Sequence, residues 1–393
     1  MSDGETRGHE HPVRRRTTET RASRPTAGTT THCRTLTCHS GPVTGILTLP
    51  APRHPDPSEA PPLRWGVLAP GWIASNFARA VHTHTSQRIV AVGSRTAARA
   101  EDFATRFEIP RSYDGYEGVL TDPAVEVVYV ASPHSEHRTQ ALAAIAAGKH
   151  VLVEKAFTRN ADEAREVVAA ARAAGVFVME AMWSRYLPHT DVLRRLLDDG
   201  ALGDVHRVEA DFGSRAEVGP EHRLLDPALA GGVLLDLGVY PLAFASFVLR
   251  HTGAGPLPVA EGLQVAGELA PTGVDAQVSV QLAVGHLHAS LFTTMLAETP
   301  QLAVVAGSRA RVALGHKFFI PGPLTLTRGG ESVTWDENRI LDLDGLAFQA
   351  AALARYVTEG RTESPLQPLD ETIAVLETAD AVRAALGVRY PGE

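Results

Sequence analysis

The alternation of short apolar strands with amphipathic helices, which begins at residue 63, is the feature that most limits the fold of this chain. The first unit, LRWGVLAPGWIASNFARAV, predicts a strand, a tight glycine turn and a helix with Ile73, Phe77 and Val81 on one face. Helical segments then separate the apolar strands RIVAVGS, VVYVA, HVLVEK and VFVMEAMW. Strands that are apolar throughout and joined by helices indicate parallel βαβ units with both faces covered. The pattern therefore predicts a doubly wound parallel sheet, whose ligands bind at the carboxyl ends of the strands.

The pattern changes after about Tyr186. A helix in HTDVLRRLLDDGALG is followed by the long alternating strand DVHRVEADFGSR and by the apolar helical stretch GGVLLDLGVYPLAFASFVL. Five further strand segments then follow at hairpin spacing, and two helices close the chain. Hairpin spacing predicts one large, mostly antiparallel sheet. We therefore predict an α/β chain with a doubly wound domain over residues 63–185 and an α+β domain over residues 186–393.

Residues 1–62 differ in composition from the rest of the chain. They are rich in Thr, Arg, Pro, His and Ser, and they carry eight Arg and no Lys against six Asp and Glu, a net charge of +2. A segment with so few apolar residues does not offset the entropy that is lost on ordering, so we predict a disordered N-terminal tail. Two interpretations of the tail stay open, a basic arm that binds a partner and a dispensable leader.

Composition also limits the classes of function. The net charge of −8 argues against a nucleic-acid partner, and we expect no membrane span because no apolar run approaches the roughly 18 residues that one needs. The two cysteines, Cys33 and Cys38, are too few for a disulfide framework. Although His32 and His39 flank them, we expect no metal site, since structural zinc needs four ligands on a folded frame. With no later cysteine and no secretory signal, we place the protein in the cytoplasm.

The first strand–helix turn has features of a dinucleotide site. Ala69, Gly71 and Ala74 stand at the three positions of the motif G-x-G-x-x-(G/A), between a predicted strand and a predicted helix. A glycine at the second position lets a pyrophosphate approach the backbone, and the helix N-terminus supplies N–H donors. The alternative is an ordinary turn that binds nothing.

The end of the second strand bears on the choice of cofactor. Ser94 and Arg95 stand where NAD-preferring sites usually place a carboxylate for the ribose 2′-hydroxyl. A serine and an arginine would instead hold a 2′-phosphate, so we predict NADP(H), with NAD as the second choice. The alternative for Arg95 is a solvated surface arginine.

Three segments together resemble one family. VEKAFTRNADEA, GVFVMEAMWSRYLPH and GGVLLDLGVYPLAF are similar to segments of the Gfo/Idh/MocA oxidoreductases, and most of all to the branch of dimeric dihydrodiol dehydrogenase and NADP-dependent D-xylose dehydrogenase. The resemblance extends from Leu63 to Tyr390. It implies a Rossmann domain, then a substrate-binding domain with an open-faced sheet through which the chain forms a homodimer or homotetramer.

The resemblance also implies which residues bind the cofactor. The family motif E-K-P stands here as Glu154, Lys155 and Ala156, so alanine replaces the proline. The segment ASPHSEH resembles the one that lines the nicotinamide, although His137 is equally compatible with a surface histidine at a helix N-terminus. The cofactor-binding residues implied are Ala69, Gly71, Trp72, Ile73, Ser94, Arg95, Ser132, Pro133, His134, His137, Glu154, Lys155, Trp183 and Arg185.

Three residues are candidates for catalysis. Lys155 ends an apolar strand, where a charged residue lies either in the ligand crevice or at the surface. Asp236 and Tyr240 are four residues apart in a predicted helix and so share a face, and three glycines in the same stretch argue against an ordinary polar stripe on a surface helix. The resemblance gives Tyr240 the proton transfer. Lys155 beside it would lower the pKa of the tyrosine by opposing charge, and Asp236 would orient the pair or a substrate hydroxyl.

The resemblance further implies that His222 and Arg223 contact the substrate together with Asp236 and Tyr240. We therefore predict an NADP(H)-dependent oxidoreductase that acts on the carbinol carbon of a sugar, a polyol or a dihydrodiol. One alternative is an enzyme with tightly bound NAD that cleaves glycosides or dehydrates sugars, and the pair Ser94–Arg95 argues against it. A second is a non-catalytic protein that binds cofactor or sugar, and the presence of Lys155 and Tyr240 argues against that.

Overall fold

The computed structural model describes residues 47–53, 55–257 and 262–393. The first six strands form a parallel sheet: β1 (Arg64–Leu68), β2 (Arg88–Ser94), β3 (Arg111–Asp114), β4 (Val127–Val130), β5 (His150–Val153) and β6 (Val178–Glu180). Their order is β3-β2-β1-β4-β5-β6, which confirms the predicted doubly wound sheet. Strand β3 was not predicted from the sequence, because its residues RSYD alternate between half-buried and exposed and include no apolar run.

The helices that join these strands are α1 (Trp72–His84), α2 (Ala97–Arg106), α3 (Glu117–Thr121), α4 (His134–Ala146) and α5 (Ala161–Ala174). Their ends follow the local sequence. The side chain of Asn160 accepts a hydrogen bond from the backbone N–H of Glu163 and so caps α5. Gly148 follows α4 with a φ of 71°, a left-handed conformation that glycine adopts without steric cost.

A second sheet is built from eight later strands: β7 (Val205–Gly213), β8 (Leu263–Leu269), β9 (Asp275–Val284), β10 (Leu287–Thr294), β11 (Ala303–Gly307), β12 (Arg311–Leu314), β13 (Leu324–Arg328) and β14 (Glu331–Trp335). The strand order is β14-β13-β12-β11-β7-β10-β9-β8. The pairing of β7 with β10 is parallel, and the other neighbouring strands are antiparallel. The predicted large, mostly antiparallel sheet is therefore confirmed.

The remaining helices are α6 (Pro188–Asp198), α7 (Val239–Thr252), α8 (Leu346–Thr358) and α9 (Leu369–Leu386). α7 and α9 pack on the second sheet, and α6 packs on α7. α8 packs instead against α1, which belongs to the first sheet's layer. The division of the chain between residues 185 and 186 stays a prediction. In that division α8 belongs to the second domain, although the helix α1 that it contacts belongs to the first.

The predicted apolar helix has two parts. A π-helical turn over Leu234–Gly238 continues directly into α7. The longer stretch Pro227–Thr252, which includes both parts, is long and apolar enough to cross a membrane, although we expected no segment of that kind. However, 94% of its most apolar window is buried inside the folded protein, as is usual for the core helix of a globular protein.

The predicted disordered tail is wrong for the part that the structure describes. Asp56 caps a short 3₁₀ turn over Pro57–Glu59, and both Pro57 and Ala60 are buried. The backbone N–H of Arg53 donates to Asp191 at 2.5 Å, and Arg355 donates to the carbonyl of Asp56 at 2.6 Å. Residues 47–53 and 55–62 thus contact the folded body. Residues 1–46, with both cysteines and the histidines beside them, lie outside the described residues.

Candidate active site

A cleft of about 510 Å³ opens at the carboxyl edge of the first sheet. The strand order reverses between β1 and β4, and the segments that follow these two strands diverge there. Residues 69–71 after β1 and 131–134 after β4 both line the cleft. This is the position at which doubly wound sheets bind ligands.

Most residues predicted for the site line this one cleft. They are Ala69, Gly71, Trp72, Ile73, Ser94, Arg95, Ser132, Pro133, His134, Glu154, Lys155, Trp183, Arg223, Asp236 and Tyr240. The first sheet, the segment after β6 and the helix that carries Asp236 therefore all contribute to the same space.

His137 does not line the cleft, which corrects its assignment as a cofactor contact. Its side chain is fully buried, and the alternative of a surface histidine is equally wrong. Nδ1 lies 2.8 Å from the carbonyl oxygen of Ala156, and Nε2 lies 2.8 Å from that of Ser132. His137 thus connects two backbone segments that do line the cleft.

Arg185 and His222 also lie outside the cleft-lining set. Arg185 is buried behind it, where it forms an ion pair with Glu371 at 2.6 Å and donates to the carbonyl of Ala243. His222 is exposed, and its Nδ1 accepts a long hydrogen bond of 3.3 Å from the backbone N–H of Leu224. The resemblance placed both by their distance along the chain, which does not fix where a side chain points.

The turn after β1 fits a pyrophosphate. Gly71 is the N-cap of α1, and its residue supplies no capping side chain, so the first backbone N–H groups of the helix have no side-chain acceptor. Apart from its chain neighbours and the backbone of its own helix, the nearest described atom to a Cβ built on Gly71 is the carbonyl oxygen of Ala69, at 3.9 Å. A larger residue would therefore project into open space at the helix N-terminus, which is the space an anionic ligand needs.

Two arginines lie at the end of the cleft next to β2. Arg95 follows the buried Ser94 at the strand end, and Arg99 is on the first turn of α2. Both arginines are exposed, and Tyr116 lines the cleft with them. Arg99 was not predicted from the sequence as a site residue. The available signal was a second arginine shortly after Arg95, at the start of the predicted helix AARAEDFATRF.

Lys155, Asp236 and Arg223 form a charged cluster. The Lys155 ammonium donates to the backbone carbonyl of Asp236 at 2.6 Å and lies 3.5 Å from its carboxylate Oδ1. Arg223, which is about half exposed, reaches the same oxygen at 3.0 Å. Although burial alone would raise the pKa of the Asp236 carboxyl, the charges of Lys155 and Arg223 lower it to about 2. The Lys155–Ala156 peptide bond is cis, with alanine at the position of the motif's proline.

Glu154, the first residue of the same motif, is buried beside this cluster. Its Oε1 accepts a hydrogen bond of 2.5 Å from the Tyr129 hydroxyl, and its Oε2 accepts one from the backbone N–H of Lys155. Burial raises the pKa of the Glu154 carboxyl, against the hydrogen bond from Tyr129 and the charge of Lys155, which lower it. Glu154, the residue before Lys155, is thus held in place by Tyr129 of β4.

The Tyr240 hydroxyl accepts a hydrogen bond of 2.8 Å from the indole N–H of Trp183. Burial raises the pKa of Tyr240 above its usual value, and the charges of Glu154 and Asp236 raise it further. The net shift of the Tyr240 pKa is therefore opposite to the lowering that was expected from Lys155. The ammonium lies 5.4 Å from the centre of the Tyr240 ring and donates to the backbone carbonyl of Asp236.

His134 supplies a neutral imidazole to the cleft. Burial, together with the charges of His137 and Lys155, lowers its pKa to about 3. Nδ1 lies 3.2 Å from the carbonyl oxygen of Ala230, which only accepts hydrogen bonds, so Nδ1 carries the proton. Nε2 of the neutral ring is then a hydrogen-bond acceptor. Nearby, the buried Ser132 Oγ has no hydrogen-bond partner among the described residues.

Aromatic rings form the wall of the cleft near Tyr240. Phe212 and Phe319 stack with ring centres 4.0 Å apart, and Tyr240 lies 5.2 Å from Phe319 and 5.6 Å from Phe212. Neither phenylalanine was predicted from the sequence as a site residue. Phe212 is the second-last residue of β7. Phe319 lies in the connection between β12 and β13, where the doublet Phe318–Phe319 was an unusual apolar feature for a loop.

Comparison with known proteins agrees with this architecture. Residues 63–182 match the model of the GFO/IDH/MocA oxidoreductase family, NAD-binding Rossmann fold, and residues 190–313 match the GFO/IDH/MocA C-terminal domain. A trans-1,2-dihydrobenzene-1,2-diol dehydrogenase from Macaca fuscata fuscata is 36% identical over 338 residues, which cover 84% of this chain and 98% of that protein.

Solved structures give the same result. A 3-ketoreductase from Actinomadura kijaniata, in complex with NADP and TDP-benzene, is 26% identical with a TM-score of 0.71, over 82% of this chain and 98% of that one. An aldose–aldose oxidoreductase from Caulobacter crescentus, complexed with glycerol, shares the fold at 24% identity with a TM-score of 0.73, over 83% and 98%. The resemblance seen in three sequence segments is confirmed, and the chain belongs to the Gfo/Idh/MocA family of NAD(P)-dependent oxidoreductases.

Proposed function

We propose that this protein uses NADP(H) to oxidise the carbinol carbon of a sugar, a polyol or a dihydrodiol, or to reduce the corresponding carbonyl. The observation that carries the proposal is that the Gly71 turn and the Tyr240 hydroxyl line one cleft, together with the Lys155–Asp236 pair. The Macaca relative is named for a trans-dihydrodiol and the Actinomadura ketoreductase binds NADP, which supports both halves of the proposal.

The part of the cleft next to β1 and β2 fits the cofactor. The backbone N–H groups at the start of α1 would hold the pyrophosphate, and Ser94, Arg95 and Arg99 would hold the 2′-phosphate. Two exposed arginines and no carboxylate among the lining residues at this end favour NADP(H) over NAD(H). Bound there, the nicotinamide would supply or accept the hydride.

Tyr240 is the proposed proton donor. Because Trp183 donates to the tyrosine oxygen, the phenolic proton stays available for a substrate. With its pKa raised by burial, the phenol is protonated at neutral pH and suits the protonation of a carbonyl oxygen during reduction. In the oxidising direction the phenolate accepts the proton of the substrate hydroxyl.

Lys155 and Asp236 would stabilise the charge that develops on the substrate oxygen. The Lys155 ammonium has three N–H donors, of which one is held by the backbone carbonyl of Asp236 and one faces its carboxylate. The remaining donor is available to a substrate oxygen. The Asp236 carboxylate keeps the ammonium in place, and Arg223 at the half-exposed rim shares that carboxylate.

The two sides of the cleft match a ring with hydroxyl groups. Phe212, Phe319 and Tyr240 present an apolar wall, and Arg223 and Asp236 present hydrogen-bonding groups. A pyranose or a cyclic dihydrodiol has an apolar face and polar edges, and it would bury both against complementary surfaces.

The direct test is a substrate screen with purified protein, NADP⁺ or NAD⁺, and trans-1,2-dihydrobenzene-1,2-diol, aldoses and polyols. We expect NADPH to accumulate with at least one compound, and turnover to be weaker with NAD⁺. Product formation without net NADPH would favour the enzyme with tightly bound NAD instead. Binding of NADPH, seen by fluorescence, without turnover of any compound would favour a non-catalytic binding protein.

We also propose that the protein is a cytoplasmic homodimer or homotetramer that assembles through the second sheet. Helices α7 and α9 pack on this sheet, and along β10 the buried Ala289 and Leu291 alternate with the half-buried Ser290 and Phe292, which point to the opposite face. A second copy would cover Phe292 there. Light scattering should show a dimer or tetramer that Phe292→Arg converts to monomer, and an unchanged mass for this variant would contradict the proposal.

A further inference from the structure

Two buried side chains hold the segment that carries Lys155 from opposite sides. His137 lies 2.8 Å from the carbonyl oxygen of Ala156, and Glu180, at the end of β6, accepts a hydrogen bond of 3.2 Å from the backbone N–H of Phe157. Neither side chain lines the cleft. Both act on the two residues that follow Lys155, so they constrain the backbone from which the ammonium extends.

Glu180 is itself anchored to the C-terminal part of the chain. Its Oε2 accepts hydrogen bonds from Gln367 Nε2 at 2.6 Å and from Thr372 Oγ1 at 3.0 Å. Gln367 precedes α9, and Thr372 is on its first turn. With only 3% of its surface exposed, Glu180 has no water to replace these partners. Its carboxyl group therefore connects the Lys155 segment to α9.

We propose that Glu180 is a positioning residue for Lys155. Held by Gln367 and Thr372, its carboxyl group fixes the backbone N–H of Phe157, and this keeps the Lys155 ammonium within 2.6 Å of the carbonyl of Asp236. The inference rests on the proposed function, since it assigns Glu180 to the reaction that Lys155 serves.

The contact needs an oxygen acceptor rather than a negative charge. Burial raises the pKa of Glu180 to about 7, against the hydrogen bonds from Thr372 and Phe157, which lower it. An acceptor oxygen is present in both protonation states, and also in the amide of a glutamine. In Glu180→Gln the new amide N–H₂ would face Gln367, whose Oε1 has no partner among the described residues. Rotation of the Gln367 amide by half a turn would pair the two groups again.

The test compares three variants on the substrate found by the screen. Glu180→Ala should lower kcat by about 100-fold, the size of effect caused by a misplacement of about 1 Å. The NADPH dissociation constant should stay within about threefold, because the cofactor half of the cleft lies elsewhere. Glu180→Gln should recover most of kcat. Equal activity of Glu180→Ala and wild type, or no recovery in Glu180→Gln, would overturn the inference.

Asp122→Ala is the matched control. Asp122 is also a buried carboxylate, 5% exposed, and accepts from a backbone N–H, that of Ala124, and from the Tyr113 hydroxyl. Asp122 precedes β4 and so lies at the amino ends of the strands of the first sheet, whereas the cleft lies at their carboxyl ends. The control should lose stability and keep kcat. A loss of kcat equal to that of Glu180→Ala would show that destabilisation alone explains the effect and would overturn the inference.

A further variant covers the case in which Glu180→Ala does not fold. Thr372→Val removes one donor to Glu180 and leaves the Lys155 segment untouched. Loss of a hydrogen bond of about 0.5–1.5 kcal/mol should lower kcat about 2- to 12-fold, and amide exchange at Phe157 should accelerate. Unchanged kcat and unchanged exchange at Phe157 would overturn the inference. The proposed function fails separately, if the wild-type protein turns over no substrate.

Discussion

Replacing Tyr240 by Phe removes one oxygen from the cleft and tests the proposed proton donor. The ring stays beside the stacked pair Phe212 and Phe319, so the apolar wall is kept. Loss of a general acid typically slows a reaction 10²- to 10⁴-fold, which corresponds to about 3–5 kcal/mol in the barrier. We expect kcat to fall by this factor, while the NADPH dissociation constant stays close to that of the wild type.

The same substitution also affects stability, by an amount that the structure limits. Trp183 is 3% exposed, and its indole N–H loses its acceptor when the Tyr240 hydroxyl is removed. A buried donor left without a partner costs about 1–3 kcal/mol. The melting temperature should fall by several degrees, and the variant should remain folded at the assay temperature.

Tyr186→Phe is the matched control for this loss. Tyr186 is fully buried, and its hydroxyl donates to Ser364 Oγ at 2.8 Å outside the cleft. It should lose a similar amount of stability and keep kcat. The assay follows NADPH absorbance in both directions, with melting temperatures measured in parallel. If Tyr240→Phe keeps kcat within about threefold of the wild type, the proton comes from another group. Lys155 is then the next candidate, because His222 does not line the cleft.

Three further predictions concern the cofactor, the pH profile and the N-terminal segment. Arg95→Ala and Arg99→Ala should each weaken NADPH binding about 10- to 150-fold, the range for charge-assisted hydrogen bonds of about 1.5–3 kcal/mol. In a fluorescence titration, NADH binding should stay unchanged. Equal weakening of both cofactors would place the arginine away from the 2′-phosphate. Because burial raises the pKa of Tyr240, the rate of carbonyl reduction should be constant between about pH 6 and 9, whereas the rate of carbinol oxidation should rise about tenfold per pH unit. An oxidation rate that does not change with pH would contradict the assignment of Tyr240. Deletion of residues 1–46 should leave the melting temperature unchanged, whereas deletion of residues 1–61 should lower it because Pro57 and Ala60 are buried. Equal melting temperatures for the two deletions would show that the packing of these residues does not stabilise the protein.

The strands and helices could be predicted where their burial produces a recognisable pattern of apolar residues in the sequence. Strands buried on both faces, such as β4 with four buried residues, read as continuous apolar runs. β3 lies at the edge of the sheet and is half exposed, so RSYD has no such run. The α8 helix shows a different limit. Its apolar pattern predicts a helix, but the pattern is the same whether it packs on the first sheet's α1 or on the second sheet.

The N-terminal segment shows how composition misleads. Residues 55–62 contain few apolar side chains, so a pattern analysis assigns them to the tail. Their contacts with the body are made largely by backbone groups, as between Arg355 and the carbonyl of Asp56, and by Pro57 and Ala60. Backbone donors and acceptors are present at nearly every residue. A sequence therefore gives no sign of which of them find partners in a distant part of the chain.

The candidate site could be predicted by residue identity but not by its electrostatics. Lys155 and Tyr240 are both in the sequence, and opposing charge suggests that one tunes the other. Yet the sign of a pKa shift depends on distances to every nearby charge and on burial. The ammonium is held by Asp236, while Glu154, Asp236 and burial all raise the pKa of the phenol. A tyrosine of this kind donates a proton readily only to a developing oxyanion, and this ties its role to the step in which the carbonyl carbon is reduced. The substitutions of Tyr240 and Glu180 therefore test different parts of one arrangement, since the first removes the proton and the second releases the ammonium.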